Sequence, residues 1–325
     1  MNQPQSARRP AEGEGRRKSL TRSWVAAAAL VFVGVYSIGH TPGEVSRWLM
    51  ALARSQYRSG ETPQAFETLD AAQRWAPSDE GIANTRIAWH QLQGDRESAL
   101  REIDALLEAA KDDRNAQMSL LIRRAELLQV MGRHREAIAD ANQYVEYEKA
   151  YNRPVNDRAA NLSAFNTRGY FVARAAAENQ ATDEETGEAL LEVASVLVYW
   201  HKHRHAHGAG SEYLYDRITY QSQELAYLDT YAYLQLAARD RAGALKNLNR
   251  CIGAGESLLE LALNASRDSQ QYAPMIQLAQ GLQSALAVFY HHRSEVYFSI
   301  GNRADAQHDF QRAVELGYDK ETGNW

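Results

Sequence analysis

The 325-residue chain contains a single cysteine, Cys251, so no internal disulfide is available and packing must hold the fold. Seven prolines are too few to interrupt helices often. Runs that alternate Val, Ile and Thr with polar residues are missing, which argues against a substantial sheet. No HExxH, no GxSxG and no phosphate-cradling glycine loop occurs, so common hydrolase and nucleotide-binding signatures are absent. A broad positive charge is lacking too. Residues 1–22 hold six basic and two acidic side chains, net +4, which leaves −9 for the rest of a chain whose total is −5. A body that acidic has no footprint for phosphate backbones, so nucleic acid is not an expected partner. What remains is rich in Ala, Leu, Glu, Gln and Arg, the good helix formers.

Charged residues are also missing from one long stretch. Met1 to Arg22 is polar and basic, a composition expected to stay disordered. Ser23–Gly43 then carries no Asp, Glu, Lys or Arg. Its apolar part, Trp24–Gly39, would be roughly 24 Å long as a helix at ~1.5 Å per residue, against a bilayer core about 30 Å thick. Trp24 and Tyr36 sit near its ends, where amphipathic rings favour the headgroup boundary. Residues 23–41 therefore read as a transmembrane anchor, as a cleaved secretory signal with Ser37 and Gly39 before the cut, or as a buried core helix. Either membrane reading leaves the basic tail in the cytoplasm and everything after His40 outside it, in the periplasm of a bacterial cell.

The segment "SGETPQAFETLDAAQRWAP", Ser59–Pro77, sets a period. A shift of 34 residues places Gly60 on Gly94, Ala65 on Ala99, Leu69 on Ile103 and Ala72 on Leu106. Repeats of that length are stacked helix–turn–helix units. Small residues such as Ala53 and Ala65 let two helices approach, and Gly60 and Gly94 end first helices at φ > 0 without strain. Thr62 is expected to cap the second helix, with Pro63 in its first turn. The pattern returns at Ala125, Gly132, Ala137 and Ala141, and again at Ser294, Gly301, Ala306 and Ala313. A weaker copy has Gly169, Ala189 and Val193, with a connection "AENQATDEETGEA" expected to protrude as a loop. Another has Ala232, Ala244 and Leu248, with Arg239 where glycine is expected.

On these residues the chain resembles the tetratricopeptide-repeat family, in a membrane-anchored bacterial form. The resemblance implies an all-α, right-handed α-solenoid of about six units at 46–79, 80–113, 118–151, 161–202, 225–258 and 287–320, with 321–325 as a tail. An irregular helical bundle is the competing architecture. The family's first helices line a concave groove, which would place Arg47, Met50, Arg54, Tyr57 and Arg58 there in the first unit. Asn84, Ala88 and Gln91 follow in the second, Ile122, Glu126 and Gln129 in the third, and His291, Glu295 and Phe298 in the last. The Lys and Asn with which some members hold a peptide carboxylate are missing, since Met50 and Arg54 occupy those places. Arg47, Arg54 and Arg58 could instead meet an acidic segment, or simply form a solvated face.

Four alternating histidines, His201, His203, His205 and His207, are the candidates for a metal. Alternation lines them up on a strand but scatters them on a helix, and Lys202 and Arg204 repel a cation. A solvated helix end is the plainer reading. His291 and Glu295, four apart, read as a surface pair, and Cys251 as a small core residue. Tyr213, Tyr215, Tyr220, Tyr227, Tyr231 and Tyr233 offer either packing between repeats or a self-association patch. The expectation is a non-catalytic, membrane-tethered scaffold that binds a protein or peptide in its groove, without cofactor. The alternative is a helical metalloprotein or enzyme built on His201–His207.

Overall fold

Turn residues and apolar stripes fall where helix pairs need them. The computed structural model describes residues 41–151, 161–203, 210, 212–268 and 272–319, and every regular element among them is a helix. In chain order these are α1 (Pro42–Arg58), α2 (Thr62–Trp75), α3 (Glu80–Leu92), α4 (Arg96–Ala109), α5 (Arg114–Val130) and α6 (His134–Tyr151). They continue as α7 (Asn161–Ala177), α8 (Asp183–Lys202), α9 (Leu214–Ala237), α10 (Arg241–Asp268), α11 (Tyr272–Ser299) and α12 (Arg303–Glu315). The expected membrane segment lies outside the described residues except for Thr41, as do the basic tail before it and residues 321–325. Among the described residues no helix is long and apolar enough to cross a membrane.

The chain divides into two units, Met1–Glu102 and Ile103–Trp325, with the boundary inside α4. In the first unit, Val45, Leu49, Met50 and Ala53 of α1 pack on Ala65, Leu69 and Ala72 of α2, with Ile82 and Trp89 of α3 completing the cluster. Ala53, Ala65, Leu69 and Ala72 are fully buried. The α2 cap is Glu61, so Thr62 is the first helical residue and Pro63 fits the first turn, where no amide donor is needed. In the second unit α5 pairs with α6, α7 with α8, α9 with α10 and α11 with α12, and each pair packs on the next. The largest core there, between α9 and α12, includes Ile218, Leu228, Cys251, Leu282, Leu286 and Phe289.

Four pairs turn on a glycine with positive φ: Gly60 at 80°, Gly94 at 74°, Gly132 at 75° and Gly301 at 81°. The other two use substitutes, Asn179 at 56° and Arg239 at 66°. Asparagine tolerates this region, whereas a long side chain adopts it under strain. Gly169 serves differently. A Cβ there would stand 2.6 Å from Val193 Cγ2 and 3.3 Å from Leu234 Cδ1, so its absence lets α7, α8 and α9 meet. The connection expected to protrude after Ala177 is instead five residues long. Thr182 caps α8 by accepting from the Glu185 amide at 3.1 Å, while its own amide donates to Glu185 Oε2 at 2.8 Å. This reciprocal cap starts the helix early and absorbs the extra residues.

A recurring arginine links the pairs. Arg86 donates to Asp70 on the preceding second helix and to Glu102 on its own. Arg124 does the same with Asp104 and Asp140, Arg168 with Asn142 and Glu192, and Arg293 with Asn249 and Asp309. Asp140 and Asp309 are 4% and 1% exposed, so each depends on its forked guanidinium for a counter-charge. Two stability predictions follow from this frame. Arg239→Gly should stabilise the protein by about 1 kcal/mol and Gly301→Ala destabilise it by a similar amount, read from urea unfolding. Arg124→Met should cost about 3 kcal/mol by stranding Asp140, and adding Asp140→Leu should recover much of it. An additive double mutant would contradict the pairing.

Candidate functional site

The first helices carry side chains that neither the arginine bridges nor the small buried residues use. In the second unit these lie side by side, α5 on α7, α7 on α9 and α9 on α11. Together they wall a cavity of about 420 Å³. Its apolar surface comes from Ile122, Phe171, Ala285, Val288 and Phe289, and its polar groups are Glu126, Asn166, Tyr170, Asp229 and Ser284. That mixture, mostly apolar with a few placed polar groups, is what binding sites offer.

Behind the cavity the wall is polar and interlocked. Asp229 accepts from His292 Nδ1 at 2.9 and 3.0 Å, and the His292 ring stacks on Tyr233 at 4.0 Å. His292 is fully buried and Tyr233 almost so. Gln129 donates to the Tyr170 hydroxyl at 3.0 Å, and Arg174 reaches the Tyr233 hydroxyl at 3.5 Å. Burial pushes the Tyr170 and Tyr233 hydroxyls above their ordinary range, so both stay neutral donors. Glu126 keeps solvent access at the mouth of the cavity while protein surrounds its other sides. That crowding lifts its carboxyl above the ordinary 4.5, against the opposing pull of Arg123.

The residues expected in the groove fall into three groups. Ile122 and Glu126 line the cavity, and Gln129 supports it from beneath. His291, Glu295 and Phe298 line a second cleft of about 470 Å³ with Arg303 and Phe310. There His291 Nε2 stands 3.8 Å from Glu295, and its ring stacks on Tyr318 at 4.2 Å. The first-unit positions are dispersed. Met50 is core, with its methyl against Gly81, and Tyr57 stacks on Trp89 at 4.2 Å. Arg47, Arg54, Arg58, Asn84 and Gln91 are exposed, with Arg47 donating to the Gly43 carbonyl.

The histidine tract is only partly described. His201 is exposed on the last turn of α8, His203 ends the helix and stacks on Tyr199, and His205 and His207 lie outside the described residues. Among the described residues no three His, Cys, Asp or Glu side chains group as metal ligands would. In the tyrosine tract, Tyr220, Tyr227 and Tyr233 are core residues, and Trp200 stacks on Tyr220 and meets Tyr227 edge-on. Tyr213 and Tyr215 are exposed. Cys251 is buried and its thiol pushed well up, which leaves it an inert core group.

No family model matches the chain, and no curated protein matches it either. Solved structures it is similar to include tetratricopeptide-repeat proteins. One is a tetratricopeptide repeat protein from Parabacteroides merdae, 16% identical over 86% of this chain and 96% of that one, with a TM-score of 0.45. The TPR domain of P58(IPK) is 13% identical over 86% and 95%, with a TM-score of 0.25. Yeast Tom70 is 16% identical over 84% of this chain, which spans 62% of the Tom70 chain, with a TM-score of 0.27.

Sequence reading missed Asn166, Tyr170, Arg174, Asp229 and His292, and named Tyr233 only within the tyrosine tract. Asp229 and Tyr233 had a usable signal. They stand ten and six residues before Arg239, as Ile122 and Glu126 stand before Gly132, and His291 and Glu295 before Gly301. Glu126 gives the site a measurable signature. Its folded carboxyl binds a proton at pH values where the unfolded one has lost it, so this group's contribution to stability falls as pH rises above about 4.5. Glu126→Gln should therefore be more stable than the native chain at neutral pH, with the gain disappearing below that value. Paired melts across the range check the sign, and a gain that grew as pH fell would contradict the crowding.

Proposed function

We propose that this protein is a non-catalytic scaffold that holds an extended segment of a protein partner along the wall of first helices. The observation that carries this reading is the cavity of about 420 Å³ framed by four consecutive first helices, α5, α7, α9 and α11. Extended peptides are recognised where a preformed surface supplies pockets for their side chains. The strongest chemical candidates for a reaction are withdrawn from solvent. His292 is fully buried and Cys251 is buried and protonated.

The uncharged span at residues 23–41 supports a membrane tether, with the basic tail in the cytoplasm and the helical pairs on the opposite, periplasmic side. Photo-crosslinking in cells tests both halves. A crosslinking residue placed at Ser284, exposed on the wall, should capture a partner, whereas one at Gln311 on the outer α12 should not. The full chain should remain in carbonate-washed membranes. Equal capture from both positions, or none from Ser284, would refute the groove reading.

A further inference from the structure

The cavity on the first-helix wall is one-sided in charge. Among the described residues that line it, only Glu126 and Asp229 are carboxylic acids, and none is a lysine, arginine or histidine. Asp229 is already answered by His292. Glu126 is the carboxylate left facing the opening, and the surrounding protein disfavours its charge more than Arg123 restores it. Arg174, one turn beyond Tyr170, is directed at the Tyr233 hydroxyl and at the field of Glu295.

The hydrogen-bonding groups share this bias. Thr230 donates to the Ala226 carbonyl and Ser284 to the Gln280 carbonyl, each within its own helix. The Tyr170 hydroxyl receives the Gln129 amide. Asn166 Oδ1 is buried without a hydrogen-bond partner among the described residues. Besides the neutral Tyr170 hydroxyl, the cavity thus offers the hydroxyl oxygens of Thr230 and Ser284 and one undercompensated negative charge, beside an apolar wall of Ile122, Phe171 and Val288. Such surroundings suit a cation carried on a methylene stem, which can bury the stem and present the head to oxygen.

We propose that this cavity is the anchor pocket for a lysine or arginine side chain of the partner segment, the stem on the apolar wall and the head on Glu126. This rests on the peptide-groove reading above and names the side chain that the groove selects. The acidity of the chain beyond its first 22 residues, net −9, favours approach of a basic segment over an acidic one.

The test uses the full purified chain and four probes: acetyl-Ala-Ala-Lys-Ala-Ala-amide, its norleucine counterpart, hexylamine and hexanol. Ligand-observed NMR at millimolar concentrations reports binding. The lysine peptide should bind at least tenfold more tightly than the norleucine peptide, and Glu126→Gln should remove most of that difference. Gly281 lines the cavity within α11, and a Cβ added there meets no heavy atom within 4 Å. Gly281→Leu should therefore fold, fill the space and abolish binding. Equal binding of the norleucine peptide would mean a merely apolar hole and would overturn the proposal. So would an unchanged affinity in Glu126→Gln or Gly281→Leu, or hexylamine binding without the lysine peptide, which would mark a small-amine site. Crosslinks from Ser284 that persist while lysine peptides fail would leave the groove reading standing and remove only the basic anchor. Loss of both would remove both.

Discussion

Four of the helix pairs in this protein are held to the one before by an arginine that reaches two ways. In four pairs a first-helix guanidinium bridges an acid on its own second helix to a group on the preceding second helix, as Arg124 does with Asp140 and Asp104. A single exposed ion pair adds little to stability. Here Asp140 and Asp309 are buried, so a sliding register would strand a charge there and cost several kcal/mol. Alanines such as Ala53, Ala65, Ala125 and Ala137 supply close approach, but close approach alone tolerates slippage. The bridges specify which turn meets which. The constraint acts between neighbours, as it must in an array where each unit buries its apolar face only against the next.

That arrangement frees one side of every first helix. With the bridges and the small residues committed toward the second helices, the opposite stripe carries groups that packing does not require. In the second unit the positions ten and six residues before the turn hold Ile122 and Glu126, Asp229 and Tyr233, and His291 and Glu295. A uniform frame thus presents different chemistry at each step. The cavity lies where Ile122, Glu126 and Asp229 meet the small residues of α11, Gly281, Ser284 and Ala285.

How much of this could be read from the sequence depended on whether one residue type marked the feature. The turns marked by glycine were legible, and all four adopt positive φ. The turn at Arg239 was legible from the repeat spacing alone, whereas Asn179 hid its turn, because asparagine carries many roles and glycine few. The extra residues near 180 were read as a loop although Thr182 and Glu185 have the spacing of a reciprocal cap. Cap signals are short, and a long insertion suggested the opposite. Met50 and Tyr57 show a different limit. Their helical register fits the groove, but Met50 is taken up by the core and Tyr57 by the face of Trp89, and neither neighbour is predictable from spacing within one repeat. Arg86, Arg124 and Arg293 recur at one distance from their turns and Arg168 stands farther from Asn179, yet only coordinates reveal that one side chain serves two pairs.

The wall is also where the fold departs from what stability alone would choose. Gln129 Oε1, Asn166 Oδ1, Arg174 Nε and His292 Nε2 are all buried on first helices of the second unit without a hydrogen-bond partner among the described residues. Each such group costs about 1–3 kcal/mol relative to a satisfied one, and leucine or alanine at these sites would avoid the cost. Naturally selected sequences break local rules chiefly where function requires it. The Asp229–His292 pair and the Tyr233 stack support that polar wall from behind, which fixes its groups before a segment docks. A preformed surface loses little entropy when a segment docks. A scaffold that must select one side chain among many is better served by such fixed acceptors than by a flexible, fully satisfied lining.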